Sequence, residues 1–175
     1  IGRDGPQAIV ADAMAWDRFG QFMAFAVLAA LVLIALTTSD ALRRQDNDNP
    51  EVYALFLVAA AGAMVMASAN DLIVLFLGLE TMSLAFYVLA ASEKRRAASQ
   101  ESGLKYFILG GFSSAFFLYG IALIYGTTGT TNLSEMVANL SAAIPLDGKD
   151  VMLLAGIALL LVGFAFKVAA VPFQM

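Results

Sequence analysis

Five apolar runs, each long enough to cross a bilayer as a helix, set the limits on what this chain can fold into. A hydrocarbon core of ~30 Å takes ~20 helical residues, and the runs at 19–38, 52–69, 72–91, 104–125 and 151–171 come near that length. In lipid every backbone amide and carbonyl must be satisfied internally, which leaves helices or a closed barrel. Barrel strands alternate lipid-facing and lumen-facing residues over ~10 positions, and these runs do not alternate. The expected fold is an all-α, polytopic membrane protein of about five transmembrane helices.

Composition enters where a soluble alternative has to be judged. Hydrophobic residues make up 61% of the chain and charged residues 14%, against ~45–50% and ~25% in soluble domains. One core of 175 residues could not hide that much apolar surface. No basic stripe suited to nucleic acid is present, so a nucleic-acid partner is not expected. Cysteine and histidine are both absent. Thiolate-held clusters, His- or Cys-ligated haem and His-containing zinc sites therefore cannot be built from this chain alone. The chain starts at Ile1 and stops at Met175 within a segment that still reads as membrane, so the expectation is an incomplete part of a larger polytopic protein.

The connections predict the topology. A polar stretch ending in Pro50 joins the first two runs, and Pro at a first helical position is favoured. Between the second and third runs lies only Ser68-Ala69-Asn70-Asp71, a tight reversal in which Asn70 or Asp71 can cap the next helix. Within 126–150, Leu133-Ser134-Glu135-Met136 suggests a short amphipathic helix. Arg43, Arg44, Lys94, Arg95 and Arg96 share one side, and Arg3, Arg18 and Lys149 the other. The positive-inside rule then places the two Arg/Lys-rich loops in the cytoplasm and segment 1–18 outside. Gly110, Gly111, Ser113 and Ser114, like the Ala/Gly run 59–63, read as close helix packing.

Two ionisable residues fall where lipid should not tolerate them. Glu80 lies ~12 Å beyond Leu72 at helical rise, in an otherwise uncharged run. A carboxylate at such depth costs at least ~2.5–3.5 kcal/mol unless it is paired, hydrated or protonated, and such residues mark proton and ion pathways. The alternative is a structural carboxylate that never changes charge. Lys167 follows the apolar run 151–166, and Pro172 five residues later points to a broken helix rather than a simple end. An amine held out of water suits proton exchange; the alternative is a lysine snorkelling to a membrane boundary. Lys105, by position, reads as a snorkelling lysine.

Several long stretches resemble a known family. Residues 68–84, centred on Gly78-Leu79-Glu80-Thr81-Met82-Ser83, resemble the glutamate-bearing helix of subunit N of respiratory complex I, an NADH-quinone oxidoreductase. Gly103-Leu104-Lys105-Tyr106-Phe107 and Leu118-Tyr119-Gly120 resemble its next helix, and Gly163-Phe164-Ala165-Phe166-Lys167-Val168 with Pro172 resembles its lysine-bearing broken helix. The likeness runs from about Pro50 to the end, and Gln174 stands where many members carry histidine. The resemblance implies an antiporter-like bundle and a proton-translocating subunit using Glu80, Lys167 and Lys105, with its helix break at Pro172. It also implies no redox cofactor in this chain. NAD, FMN, iron–sulfur clusters and quinone belong to partner subunits, and the neighbours are the antiporter-like M subunit and small membrane subunits of a bacterial inner membrane. A related subunit of a cation/proton antiporter or membrane-bound hydrogenase is the alternative, and a purely structural scaffold a third.

Overall fold

The computed structural model describes residues 7–44, 50–142 and 150–171. A short hairpin, β1 (Gln7–Ile9) and β2 (Met14–Trp16), precedes α1 (Arg18–Arg44), α2 (Pro50–Ala67), α3 (Leu72–Ala90), α4 (Ala97–Thr128), α5 (Leu133–Ala142) and α6 (Asp150–Lys167). Four of these helices are long and apolar enough to span a membrane, and α6 is a shorter apolar one. The polytopic all-α architecture is as expected, with departures at the hairpin and at several helix ends. The hairpin is strand structure that the sequence does not announce. α4 begins at Ala97 rather than 104; its 32 residues extend ~48 Å, well beyond the hydrocarbon thickness. Its first turns, rich in Ser, Gln and Glu, therefore project out of the membrane.

From α1 to α5 each helix packs on the next along the chain, and α6 returns against α4. Two glycine pairs set the closest approaches. A Cβ on Gly62 would lie 2.6 Å from the Met82 amide nitrogen, and one on Gly78 would lie 2.7 Å from that of Met66, so α2 and α3 touch backbone to backbone. Gly120 and Gly156 do the same for α4 and α6. The core between α3, α4 and α6 holds Leu79, Phe117, Ile121, Ile124 and Leu153, and Met136 of α5 closes it at the hairpin end. Phe19, Phe22, Phe25, Val32, Leu33 and Leu36 of α1 face outward, as lipid-facing side chains do.

The hairpin end is tied by polar contacts around the tight reversal. Asp71 caps α3, accepting from the Ile73 and Val74 amides at 2.7 and 3.4 Å. Its second oxygen accepts from the Thr131 hydroxyl at 2.6 Å. Asn70 donates its side-chain amide to the Asp12 carbonyl at 3.0 Å and accepts from Ser134 at 2.9 Å. Asn132 caps α5 through the Ser134 and Glu135 amides and also donates to the Asp12 carbonyl. Asp71→Ala is expected to destabilise the protein by ~2 kcal/mol, the upper end for a lost N-cap, because the Thr131 bond goes with it. Thermal denaturation against Asp71→Asn, which keeps an acceptor for the cap, checks this.

The last helix stops at Lys167, earlier than the expected 171. Val168 and Ala169 turn the chain, with Ala169 left-handed at φ 52°. The Ala170 amide donates to the Ala165 carbonyl and the Ala169 amide to the Phe166 carbonyl, the paired bonds of a Schellman stop. Glycine usually fills the left-handed place; alanine there strains the backbone by ~1–2 kcal/mol. The helix thus ends at its lysine before any proline is reached. Pro172, Gln174 and Lys149 lie outside the described residues.

Candidate functional site

The third helix presents Glu80, Ser83 and Tyr87 at i, i+3 and i+7, one stripe of a helix surface. α4 presents Gly110 and Ser114 to that stripe, and α6 ends beside it at Lys167. A helical side chain leans back toward its own N-terminus, and the four-carbon stem of Lys167 carries the ammonium inward. There it donates to Glu80 Oε1 at 3.1 Å, Ser83 Oγ at 2.9 Å and Tyr87 Oη at 2.9 Å. All three ammonium hydrogens are thereby used. The Lys167 side chain is 8% exposed and that of Glu80 21%. Lys167 points into the bundle, the opposite of snorkelling. The ammonium lies 5.5 Å from the Tyr87 ring centroid because it sits at the hydroxyl, beyond the ring edge, and not over the face.

Ser114 completes the acid's surroundings. Its hydroxyl lies 2.6 Å from Glu80 Oε1 and 2.9 Å from the Gly110 carbonyl. One hydroxyl hydrogen can serve one of these fully, so Ser114 can satisfy the carboxylate or the helix carbonyl. Ser83 commits its own hydrogen to the Leu79 carbonyl at 2.7 Å and faces Lys167 as an acceptor. Ser113, one position earlier on α4, donates to the Gly163 carbonyl at 3.2 Å and pins α6 one turn before Lys167. Among the described residues no buried side-chain nitrogen or oxygen lacks a hydrogen-bond partner. This matters because each unpaired polar group in a dry interior costs free energy.

Aromatic rings close the site on both sides. Toward the hairpin end, Phe117 (1% exposed) stacks on Phe76 at 6.0 Å and meets Phe164 edge-on at 4.8 Å. Toward the other end, Tyr87 is held edge-on by Tyr106 at 4.6 Å and Phe107 at 5.9 Å. Gly110 leaves room for the phenol: a Cβ there would fall 2.0 Å from the Tyr87 oxygen. The C-terminal end of α6 is the negative end of its helix dipole, which favours a cation at that position.

The structure therefore brings together Glu80 and Lys167, and it does not bring Lys105 to them. Lys105 sits on the outer face of α4, 67% exposed, paired one turn back with Glu101. Sequence reasoning does not single out Ser83, Tyr87 or Ser114 as site residues. A usable signal existed for two of them, because Ser83 and Tyr87 share Glu80's helical stripe. For Ser114 the packing reading is incomplete: it does pack closely, yet its hydroxyl also serves the acid. Gly111 beside it faces open space.

Known proteins resemble this chain in sequence and in fold. Residues 69–175 match the family model described as NADH:quinone oxidoreductase/Mrp antiporter, TM. The NADH-quinone oxidoreductase subunit N of Myxococcus xanthus is 45% identical over 97% of this chain and 32% of its own length. The corresponding protein of Chloroherpeton thalassium is 46% identical over 82% of this chain and 29% of its own. This chain thus spans about a third of the length of the curated relatives it matches. A chain of respiratory complex I from Thermus thermophilus, solved with bound aureothin, superposes with a TM-score of 0.73 at 37% identity, covering 97% of this chain and 34% of that one. A chain of an archaeal membrane-bound sulfane sulfur reductase gives 0.75 at 30% identity, covering 91% and 31%.

Proposed function

The chain belongs to the NADH:quinone oxidoreductase/Mrp antiporter transmembrane family, and we propose that it forms part of subunit N of a respiratory complex I. In this reading it moves protons across a bacterial inner membrane while NADH oxidation and quinone reduction take place in other subunits. The observation that carries the reading is the Lys167–Glu80 ion pair, placed between membrane helices and partnered on all sides by hydroxyls. A proton reaching Glu80 cancels its charge and removes the ionic partner of Lys167. The ammonium is then free to give up a proton further along the membrane arm, and a second proton transfer restores the pair. Lys105, on the outer face of α4, is a relay point toward a neighbouring antiporter-like subunit.

The sequence holds no cysteine or histidine, so the chain offers neither thiolate nor imidazole to a redox centre. NAD, FMN, iron–sulfur clusters and quinone are assigned to partner subunits, with the M-type and small membrane subunits as lateral neighbours. The loops after α1 and after α3 are assigned to the cytoplasm on their Lys and Arg content.

A second reading, a related subunit of an antiporter or membrane-bound hydrogenase, is favoured by one observation. The sulfane sulfur reductase chain superposes as well as the complex I chain does. Sequence separates the two better than fold, since the subunit N relatives reach 42–46% identity. Identification of the co-purifying chains decides between them: nucleotide- and iron–sulfur-binding subunits support complex I. The proton role is tested with Glu80→Gln in the intact complex. NADH-driven pumping in membrane vesicles is expected to fall at least ~10-fold, the lower range for a lost proton-transfer group being ~10²-fold when transfer limits the rate. Undiminished pumping by a fully assembled complex removes the role.

A further inference from the structure

We propose that Ser83 and Tyr87 form a second, uncharged seat for the Lys167 ammonium, which holds it when Glu80 becomes neutral; the inference rests on the proton-transfer reading above. An ion pair needs one acceptor for its cation. Lys167 has three, and only one of them carries charge. Protonation of Glu80 abolishes the ionic partner and leaves the other two bonds intact. Without them, the opened state would contain a bare ammonium in a dry interior, which is far more costly than an exposed one.

The seat is built rather than incidental. Ser83 is 2% exposed and Tyr87 5%. The Ser83 hydrogen is spent on the Leu79 carbonyl, so its lone pairs are directed to the lysine and it cannot turn into a competing donor. The Tyr87 ring is fixed by two edge-on aromatic neighbours, and its hydroxyl occupies a space that only glycine at 110 leaves open. Glu80 has a matching provision. Once protonated, it can donate to Ser114, whose own hydrogen then passes to the Gly110 carbonyl 2.9 Å away. Both members of the pair therefore keep hydrogen bonds when the pair opens. Ser83 and Tyr87 are positioning residues: they lower the cost of separation and leave the proton chemistry to Glu80 and Lys167.

A double-mutant cycle in the intact complex tests this. Glu80→Gln mimics the neutral acid and makes Lys167 depend on the seat. Tyr87→Phe is then compared in the presence and absence of Glu80→Gln, reading the fraction of assembled complex that survives a fixed heat challenge. The expected result is a loss about tenfold greater in the Glu80→Gln background, the factor for one charge-assisted bond of about 1.4 kcal/mol. The extra loss should vanish when Lys167→Met is added. Equal or smaller losses in the Glu80→Gln background overturn the seat, because Tyr87 would then only buttress the ion pair or the packing. Ser83→Ala, a smaller change, repeats the cycle if Tyr87→Phe does not assemble. With Glu80 in place, Tyr87→Phe should also slow NADH-driven pumping about tenfold, and unchanged pumping overturns the seat's part in transport. Normal pumping by Glu80→Gln alone would instead remove the proton-transfer reading, whereas the stability cycle reads the seat without pumping.

Discussion

Lys167→Met with Glu80 left in place is expected to destabilise the helix bundle by about 3–5 kcal/mol, the cost of stranding one member of a buried ion pair. Glu80 would keep only the Ser114 hydrogen bond, on a side chain 21% exposed. It would take up a proton or draw water toward Phe76 and Phe117, and either response disturbs the α3–α4 contact. The double variant Glu80→Gln with Lys167→Met should recover most of the loss, because replacing a buried pair with uncharged groups of similar size is often neutral or stabilising. Thermal denaturation of the purified complex measures both. Recovered stability combined with absent pumping would separate the pair's structural contribution from its transport role. Equal stability of the single and double variants would show that the site is wetter than its burial indicates.

Gly78→Leu is expected to prevent assembly altogether. Even alanine would set its Cβ 2.7 Å from the Met66 amide nitrogen and 2.9 Å from the Gly62 carbonyl, closer than real contacts allow and against rigid backbone on both sides. For Gly78→Ala the cost of overpacking is about 1–3 kcal/mol; leucine adds three carbons with nowhere to go. The damage reaches the site, since Gly78 lies two residues before Glu80 on the same helix. Gly111→Ala supplies the internal contrast. Nothing lies within 4 Å of a Cβ there, and alanine in a helix interior gains up to ~1 kcal/mol over glycine. The yield of assembled complex in membranes distinguishes the two, and comparable losses from both would show that the α2–α3 contact is not the controlling feature.

Much of the membrane architecture was legible because apolar length is a strong signal in lipid. Apolar length places α3 at 72–91 and it is observed at Leu72–Ala90, with Asp71, one of the two capping candidates, as its cap. Apolar length underestimates α1 and α4, because hydropathy marks where hydrocarbon stops while the helix continues on local propensity through Ala41-Leu42-Arg43-Arg44 and Ala97-Ala98-Ser99-Gln100. The β1–β2 hairpin carried no Asn-Gly or Asp-Gly signature. Its tip runs through Val10, Ala11 and Asp12, all left-handed, and its docking bonds to Ser68 and Asn70 are tertiary, beyond any local reading. At the site, Glu80 and Lys167 stood out as charges in lipid. Ser83, Tyr87 and Ser114 did not, because hydroxyls are common in membrane helices and only the juxtaposition of three helices gives these three their roles.

The alignment of Glu80, Ser83 and Tyr87 along α3 has an electrical consequence. While paired, Lys167 and Glu80 sum to zero, and a neutral dipole about 3 Å long couples weakly to the membrane voltage. The ammonium already touches all three acceptors, so neutralising Glu80 leaves it where it is and uncovers a full positive charge inside the membrane. Moving a full elementary charge through 100 mV costs ~2.3 kcal/mol, so each third of the hydrocarbon thickness that a proton crosses on leaving the site corresponds to ~0.8 kcal/mol. The site is thus a small capacitor whose plates are one acid and one amine. Its discharge becomes harder or easier as the proton-motive force builds, according to which way the proton leaves.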